Sequence, residues 1–441
     1  MREFVRHSHI VEGALPLVPC HAPTCTHMHP RFVHALLALS APSGALAAQH
    51  GDAVLGRSVR VAVASVPYEA PLAARGGWAL RDAWGRVHAR GREAPTWRIE
   101  RRNRRVRAIS GDGVRATAWS DEPFTMVADG DGARVAWGNH RYRGVLLFVP
   151  TDTAILVVNQ LELEDYLRGV VPLEIGVRSP NEWAAVQAQA IAARSFTVVL
   201  LQERARQAYD LTGSASDQVY GGVDAELPMA DEAIAATTGM VLMFAGRVVR
   251  APYHSTCGGQ TAAPSEVWRG GKDESYLRSV SDGVPGSDRS WCDISPKYRW
   301  DRSFDRTELE DAVARYARTQ GGGAAQGGGG VRSARIVQQT RSGRAGTLVL
   351  DTDGGAVRLT GNAIRYALRP SSGLILYSTY FSLEPVIGRD GRLMQLTFHG
   401  RGNGHGVGMC QWGAIGRARA GHDVRTILSA YFPGTQLAPL P

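Results

Sequence analysis

Lysine is nearly missing from this chain. Only Lys272 and Lys297 occur among 441 residues, so almost all of its 50 basic side chains are arginine. So lopsided a ratio follows codon composition rather than a binding surface. The formal net charge of +9 therefore does not by itself call for nucleic acid or an anionic membrane. The densest basic stretch, Arg101-Arg102-Asn103-Arg104-Arg105, continues the alternation of Trp97, Ile99 and Val106 and reads as a solvated strand face. Phosphate-binding loops are absent as well: the chain contains neither G-x-G-x-x-G nor G-K-[ST]. Past the N-terminal region, no apolar run is read as long enough to span a bilayer. Cysteine is scarce, with five in all, and two of these, Cys20 and Cys25, precede Met28. Hydrophobic content of 44% and charged content of 21% are those of a globular protein, here large enough for two or three domains.

The first 48 residues follow the plan of a leader. Met28-His29-Pro30-Arg31 gives a basic start, Phe32 to Leu39 a short apolar core, and Ala45-Leu46-Ala47-Ala48 a small-residue cleavage site. Translation is expected to begin at Met28, with residues 1–27 an upstream extension, and the mature protein to be exported to the periplasm or cell envelope. Export would leave Cys257, Cys292 and Cys410 in a compartment that permits disulfides.

The patterning predicts an α+β protein. Short strands with Gly-Asp and Gly-Asn turns fill residues 57–150, a β-rich N-terminal domain. Residues 151–441 read as a mixed catalytic domain, interrupted by a glycine-rich linker and a β-rich insertion at about 320–385. Ser179-Pro180-Asn181-Glu182 is a capping box with proline at the first helical position. It opens an alanine-rich helix expected to reach about Arg204. Further helices are predicted over 307–319 and 424–431.

The chemistry-bearing residues fall in four places. Glu174 follows a strand-like apolar stretch, Val170-Val171-Pro172-Leu173, and comes just before the capped helix. Apolar neighbours disfavour its charged form and raise its pKa, which suits a general acid. Arg194 lies on the packed stripe of that helix and needs a partner there. It can hold Glu174 in an ion pair, tune it, or bind substrate. The second and third places are Tyr253-His254-Ser255-Thr256-Cys257-Gly258-Gly259 and Ser290-Trp291-Cys292-Asp293. The fourth, from Gly402 to Ala414, sets glycine at every second position around Asn403, His405 and Val407, then Met409-Cys410-Gln411-Trp412. Such a run lets backbone approach backbone or ligand. His254, Cys257, Cys292 and Cys410 are the ligand types of a closed zinc site. A Cys257–Cys292 disulfide and unpaired core thiols fit the same residues. A cysteine nucleophile beside His254 or His405, and a zinc hydrolase, are further readings, although no cysteine-protease signature is present.

In order and spacing these blocks resemble the SpoIID/LytB family, that of stage II sporulation protein D and the amidase enhancer. The blocks are Val171-Pro172-Leu173-Glu174, Ala188 to Phe196, Asp217-Gln218-Val219-Tyr220-Gly221-Gly222, Tyr253 to Thr261, Val267-Trp268, the glycine run and Tyr431-Phe432-Pro433-Gly434-Thr435. The resemblance implies a peptidoglycan lytic transglycosylase acting on glycan strands stripped of peptide, with Glu174 as acid/base and Arg194 as its functional arginine. Gln218, Tyr220, His405 and Gln411 would line the sugar groove. The chemistry would need no cofactor, and zinc, as in family members with such histidines and cysteines, would be structural. Cys410 departs from the serine of many members. Glycan strands are the expected partner, with a cell-wall amidase as a second. The amidase-enhancer name implies the alternative, a non-catalytic glycan-binding module.

Overall fold

The computed structural model describes residues 57–92, 97–319, 329–370 and 373–441. The leader expected at 1–48 lies outside them. Strands and helices are mixed throughout, so the protein is α+β. Alternation at Ser58–Val66 turns Val59 and Val61 inward, and alternation at Ile155–Glu162 does the same for Ile155, Val157 and Leu161. The two strands pair antiparallel, with a bulge between Ala62 and Ala64. Val145–Pro150, Phe124–Trp137, Ala73–Arg81 and Val87–Gly91 extend this eight-stranded sheet on one side, and Leu211–Thr212 adds a parallel strand on the other. Strands from both sides of residue 150 thus share one sheet. The basic stretch is the tip of the Trp97–Arg102/Arg105–Ser110 hairpin, where Asn103 takes the turn with a φ of 55°.

Four helices place the site: α1 (Leu163–Arg168), α2 (Val171–Ile175), α3 (Trp183–Glu203) and α4 (Pro228–Ala236). The apolar stretch before Glu174 is therefore helical rather than strand-like. Pro172 sits in the first turn of α2, where its fixed φ is pre-set and its missing N–H is not needed. Gly176, with a φ of 75°, ends α2 one turn later. The capping box forms as read, with the Ser179 N–H donating to Glu182 Oε2 at 2.8 Å. Behind it, α3 buries Ala188, Ala190, Ile191, Ala192, Ala193 and Val198 completely. Its alanines let neighbouring elements come close, and a fully buried Ile or Val contributes about 1.5–3 kcal/mol. By length and composition Pro180–Glu203 is apolar enough to cross a membrane, which corrects the reading from sequence; 72% of its apolar window is buried inside the protein, as in a core helix.

A second core, from Trp300 to Phe398, packs apart from the first. It is built from the strands Arg299–Asp305, Leu393–Arg401 and Phe381–Ile387, the strands Val331–Gln339, Ala345–Thr352 and Gly355–Thr360, and the helix Arg306–Thr319. This unit is wider than the 320–385 insertion read from sequence, because its first strand precedes the glycine-rich linker. The helix Val424–Tyr431 is capped by Asp423, which accepts from the Thr426 N–H at 2.7 Å.

Candidate functional site

The glycine run is folded against the H-S-T-C segment, backbone to backbone. Tyr253–His254 pairs in parallel with Met409–Cys410, and a further bridge joins Thr256 to Asn403. Gly408 has a φ of 72°, and a Cβ there would lie 2.1 Å from the Pro252 carbonyl oxygen. At Gly404, φ is 108° and a Cβ would lie 2.8 Å from His254 Cβ. Gly408→Ala should therefore cost about 2–5 kcal/mol, joining left-handed strain to overpacking. A shift of the denaturant midpoint would measure it, and an unchanged midpoint would refute the close approach.

This pairing brings Tyr253 and Gln411 to Glu174. The Val219 N–H donates to Glu174 Oε1 at 2.8 Å, and the side chains of Tyr253 and Gln411 also bond the carboxyl. Gln218 Nε2 donates to Tyr253 Oη at 2.9 Å, so the tyrosine proton is turned toward Glu174. Gln218 Oε1 in turn accepts from Tyr166 Oη at 3.0 Å and Thr197 Oγ1 at 2.7 Å. On the other side Gln411 Nε2 bonds Gln189 Oε1 of α3 at 3.2 Å. Glu174 is half-buried near the end of α2, with exposed Leu173 beside it and exposed Val177 just past the helix. Desolvation pushes its pKa up to about 7, although the bonds from Val219, Tyr253 and Gln411 pull the other way.

Other residues singled out from sequence lie elsewhere. Arg194 does not join Glu174. It is fully buried, with Nε and Nη2 on the two Glu164 oxygens at 2.8 and 2.7 Å, and Nη1 on the Met240 carbonyl at 3.0 Å. Gln218 and Tyr220 are interior rather than groove-lining. Gln218 is 0% exposed, and the Tyr220 hydroxyl donates to Asn159 Oδ1 at 2.7 Å. Gln411 reaches Glu174 from below, itself buried. His405 is partly exposed and its ring packs at a tilt against those of Trp268 and His254, at 5.1 and 5.5 Å between ring centroids. Burial holds its pKa down to about 3, so it is a neutral ring that accepts from the Val407 N–H. The sequence reading missed Tyr253 as a partner of Glu174. It stands in the quoted Tyr253–Thr261 block, where the histidine and cysteine drew the chemical reading.

The three cysteines converge, but His254 does not join them. Its Nδ1 lies 3.1 Å from the Val407 carbonyl, its ring faces His405, and burial holds its pKa down. Asp282 takes the fourth place instead. The ligand atoms of Cys257, Asp282, Cys292 and Cys410 all lie within 4.8 Å of one another, and all four residues are buried. The cysteines are free thiols in the structure.

A cavity of about 810 Å³ opens beside this region, with Tyr253, Phe196, Trp268, Tyr276, Tyr366 and His405 in its walls. Tyr253 is common to both, lining the cavity and bonding the Glu174 carboxyl through its side chain, while Glu174 itself is not among the lining residues. A second cavity, about 1080 Å³, also has Trp268 in its lining, with Glu266, Arg278, Gln338 and Thr360 among others.

The family model described as stage II sporulation protein, SpoIID, matches residues 151–244, the segment holding Glu174, Gln218 and Val219. A domain family of unknown function matches residues 272–408, spanning the second core and the first half of the glycine run. An uncharacterized protein of Brachyspira hyodysenteriae is 29% identical over 297 residues, 67% of this chain and 72% of that protein. Stage II sporulation protein D of Bacillus subtilis is 28% identical over 65% of this chain and 77% of its own length. The amidase enhancer of Bacillus subtilis is 27% identical over 62% of this chain but only 40% of its own length. The resemblance read from the residue blocks thus holds: residues 151–244 match the SpoIID model, and relatives named stage II sporulation protein D and amidase enhancer align over 65% and 62% of the chain.

Proposed function

We propose that this chain, which carries a SpoIID segment, acts on the bacterial cell wall as a lytic transglycosylase of peptidoglycan glycan strands, with Glu174 as its single acid/base. The observation that carries the reading is the state of Glu174. It is a half-buried carboxyl with its pKa raised to about 7, fixed by three donors and with no second carboxylate among them. A general acid works best with a pKa near the operating pH, and such help is worth ~10²–10⁴ in rate. Protonated Glu174 gives its proton to the glycosidic oxygen as the bond from C1 breaks. The carboxylate left behind takes the proton of the sugar's own 6-hydroxyl as that oxygen bonds C1. The product ends in a 1,6-anhydro sugar, and no water is consumed. The paired carboxylates of ordinary glycoside hydrolysis are not needed.

The cavity walled by Trp268, Tyr366 and His405 offers the aromatic faces and neutral polar groups on which sugar rings pack. This reading places the protein outside the cytoplasm, where peptidoglycan lies. Mass spectrometry of peptide-stripped peptidoglycan after digestion tests it: anhydro-muramyl fragments are expected, and hydrolytic ends alone would refute it.

Tyr253 supplies a second test. Its hydroxyl bonds the charged form of Glu174 and lowers the carboxyl pKa. Tyr253→Phe should therefore move the alkaline limb of the kcat/KM profile to higher pH. A limb that stayed in place would remove Tyr253 from the mechanism.

The likeness to the amidase enhancer favours one other reading, a non-catalytic glycan-binding module that stimulates a cell-wall amidase. Glycan binding and amidase stimulation without anhydro products would select it.

A further inference from the structure

Every residue lining the larger cavity, of about 1080 Å³, lies outside the SpoIID segment 151–244. One wall is the segment from Ala263 to Ser279. The other belongs to the second core, from the hairpin around Arg341 and the end of the strand Gly355–Thr360. The two walls are pinned to each other. The Asn362 N–H donates to the Val267 carbonyl at 2.8 Å. Glu266 accepts from the Ser342 N–H at 3.2 Å and from the Ser342 hydroxyl. A Cβ at Gly361 would lie 2.4 Å from the Val267 carbonyl oxygen, so glycine lets the two segments meet there. The cavity is therefore a product of packing between distant parts of the chain.

Three arginines line it, Arg269 and Arg278 on the first wall and Arg341 on the second. All three are exposed, and none has a hydrogen-bond or ion-pair partner among the described residues. Arginines elsewhere on the second core do find carboxylates: Arg306 pairs with Asp390, and Arg332 and Arg392 with Asp353. The cavity's own carboxylates are held by neutral donors instead. Ser342 takes Glu266, and Asp273 accepts from the Ser265 N–H at 2.9 Å and its hydroxyl at 2.7 Å. Unpaired guanidiniums around one concavity raise its positive potential and match carboxylates with paired N–H donors. Gln338, Gln339 and Thr360 add amide and hydroxyl groups to the lining, the kind that bond peptide groups. Trp268, 37% exposed, lines this cavity and also the one walled by Tyr253 and His405. A ligand packed on that ring in one cavity has the other within reach.

We propose that Arg269, Arg278 and Arg341 bind the carboxylates of peptide stems still attached to the glycan, so that this chain prefers peptide-bearing strands to stripped ones. The inference rests on the cell wall as substrate, and departs from the stripped strand that the resemblance implies. A stem peptide ends in a free carboxylate and can carry others along its length. A stripped strand keeps only the lactyl carboxylate of each muramic acid, close to the sugar. Pockets for whole small molecules run to about 300–1,000 Å³, so a volume of about 1080 Å³ is far more than one carboxylate fills. With the strand's sugars in the aromatic cavity, the stem would run past Trp268 into the arginine-lined one.

Calorimetric binding to the full chain decides it, with Glu174→Gln present so that no probe is consumed. The probes are soluble glycan fragments bearing their stems, and the same fragments after an amidase has removed them. Stem-bearing fragments should bind about 10-fold tighter or more, and added salt should shrink that advantage, because exposed charges are screened. Replacing Arg269, Arg278 and Arg341 together by glutamine should abolish the advantage and leave the affinity for stripped fragments unchanged. Single substitutions, each expected to lose up to about 5-fold, answer the same question should the triple variant not fold. Equal affinity for the two probes would overturn the proposal, as would an advantage that survives the substitutions. An equal loss on both probes would overturn it too, assigning the arginines to the lactyl carboxylates. Catalysis is read separately. Anhydro products without a stem preference would sink this inference and keep the transglycosylase, and a stem preference without anhydro products would do the reverse.

Discussion

Glu174→Gln is expected to remove anhydro-sugar production from peptide-stripped glycan, lowering kcat by about 10²–10⁴, the scale of positioned acid/base catalysis. The amide keeps an oxygen for the Val219 N–H and nearly the same shape as the carboxyl, so α2 around it is expected to stay in place. Substrate binding should be unchanged. Full residual cleavage would refute the acid/base assignment, whereas intact binding with intact amidase stimulation would favour the enhancer reading. The same variant carries a stability signature of definite sign. Glu174 is raised from 4.5 to about 7 in the folded protein, so the folded state holds its proton more tightly than the unfolded chain does. Wild-type stability is then fully present below the unfolded pKa. It declines as pH rises toward about 7 and is level above that, by at most about 3 kcal/mol at 1.36 kcal/mol per pKa unit. Partial exposure of the side chain reduces that ceiling. Glu174→Gln has no such dependence and should gain on the wild type in denaturant melts as pH increases from 5 to 8. A constant difference would show that the carboxyl is not desolvated.

Much of the scaffold around Glu174 was legible in residue order, because local chemistry dictates it. Ser179, Pro180 and Glu182 start α3 with a capping box, and Asp423 starts the last long helix, as the residue types require. The glycine run announced a close backbone approach, and Gly404 and Gly408 make it. What stayed hidden depends on contacts between distant segments. Val171–Ile175 is apolar enough to read as a strand, and only packing on α3 and the turns at Gly169 and Gly176 make it a helix. Asp282 has no spacing that marks it as a neighbour of Cys257, Cys292 and Cys410. His254 has the right type and position in sequence, but a strand turns alternate side chains to opposite faces, and the histidine ring goes to His405. Tyr253 and Gln411 meet at Glu174 only because strands whose paired residues, Tyr253 with Met409 and His254 with Cys410, are 156 positions apart run in parallel.

Arg194→Met should destabilise the protein without altering the chemistry of the molecules that remain folded. The guanidinium is 0% exposed and bidentate to Glu164, and it also bonds the Met240 carbonyl, so it joins α1, α3 and the chain after α4. Removing one partner of a buried ion pair costs about 3–5 kcal/mol. The low end is expected here, because Glu164 is 32% exposed and can recover water. Arg194→Lys keeps the charge but loses the two-pronged geometry, and should fall between Met and wild type. Denaturant melts give these differences, while kcat per folded molecule and its pH profile should match the wild type in both variants. A catalytic role beside Glu174 makes the opposite forecast: lost turnover, a displaced pH limb and a nearly unchanged melting midpoint. The geometry favours the first outcome. Every polar nitrogen of Arg194 has a partner in the interior of the α1–α3–α4 junction, and none of those partners bonds Glu174.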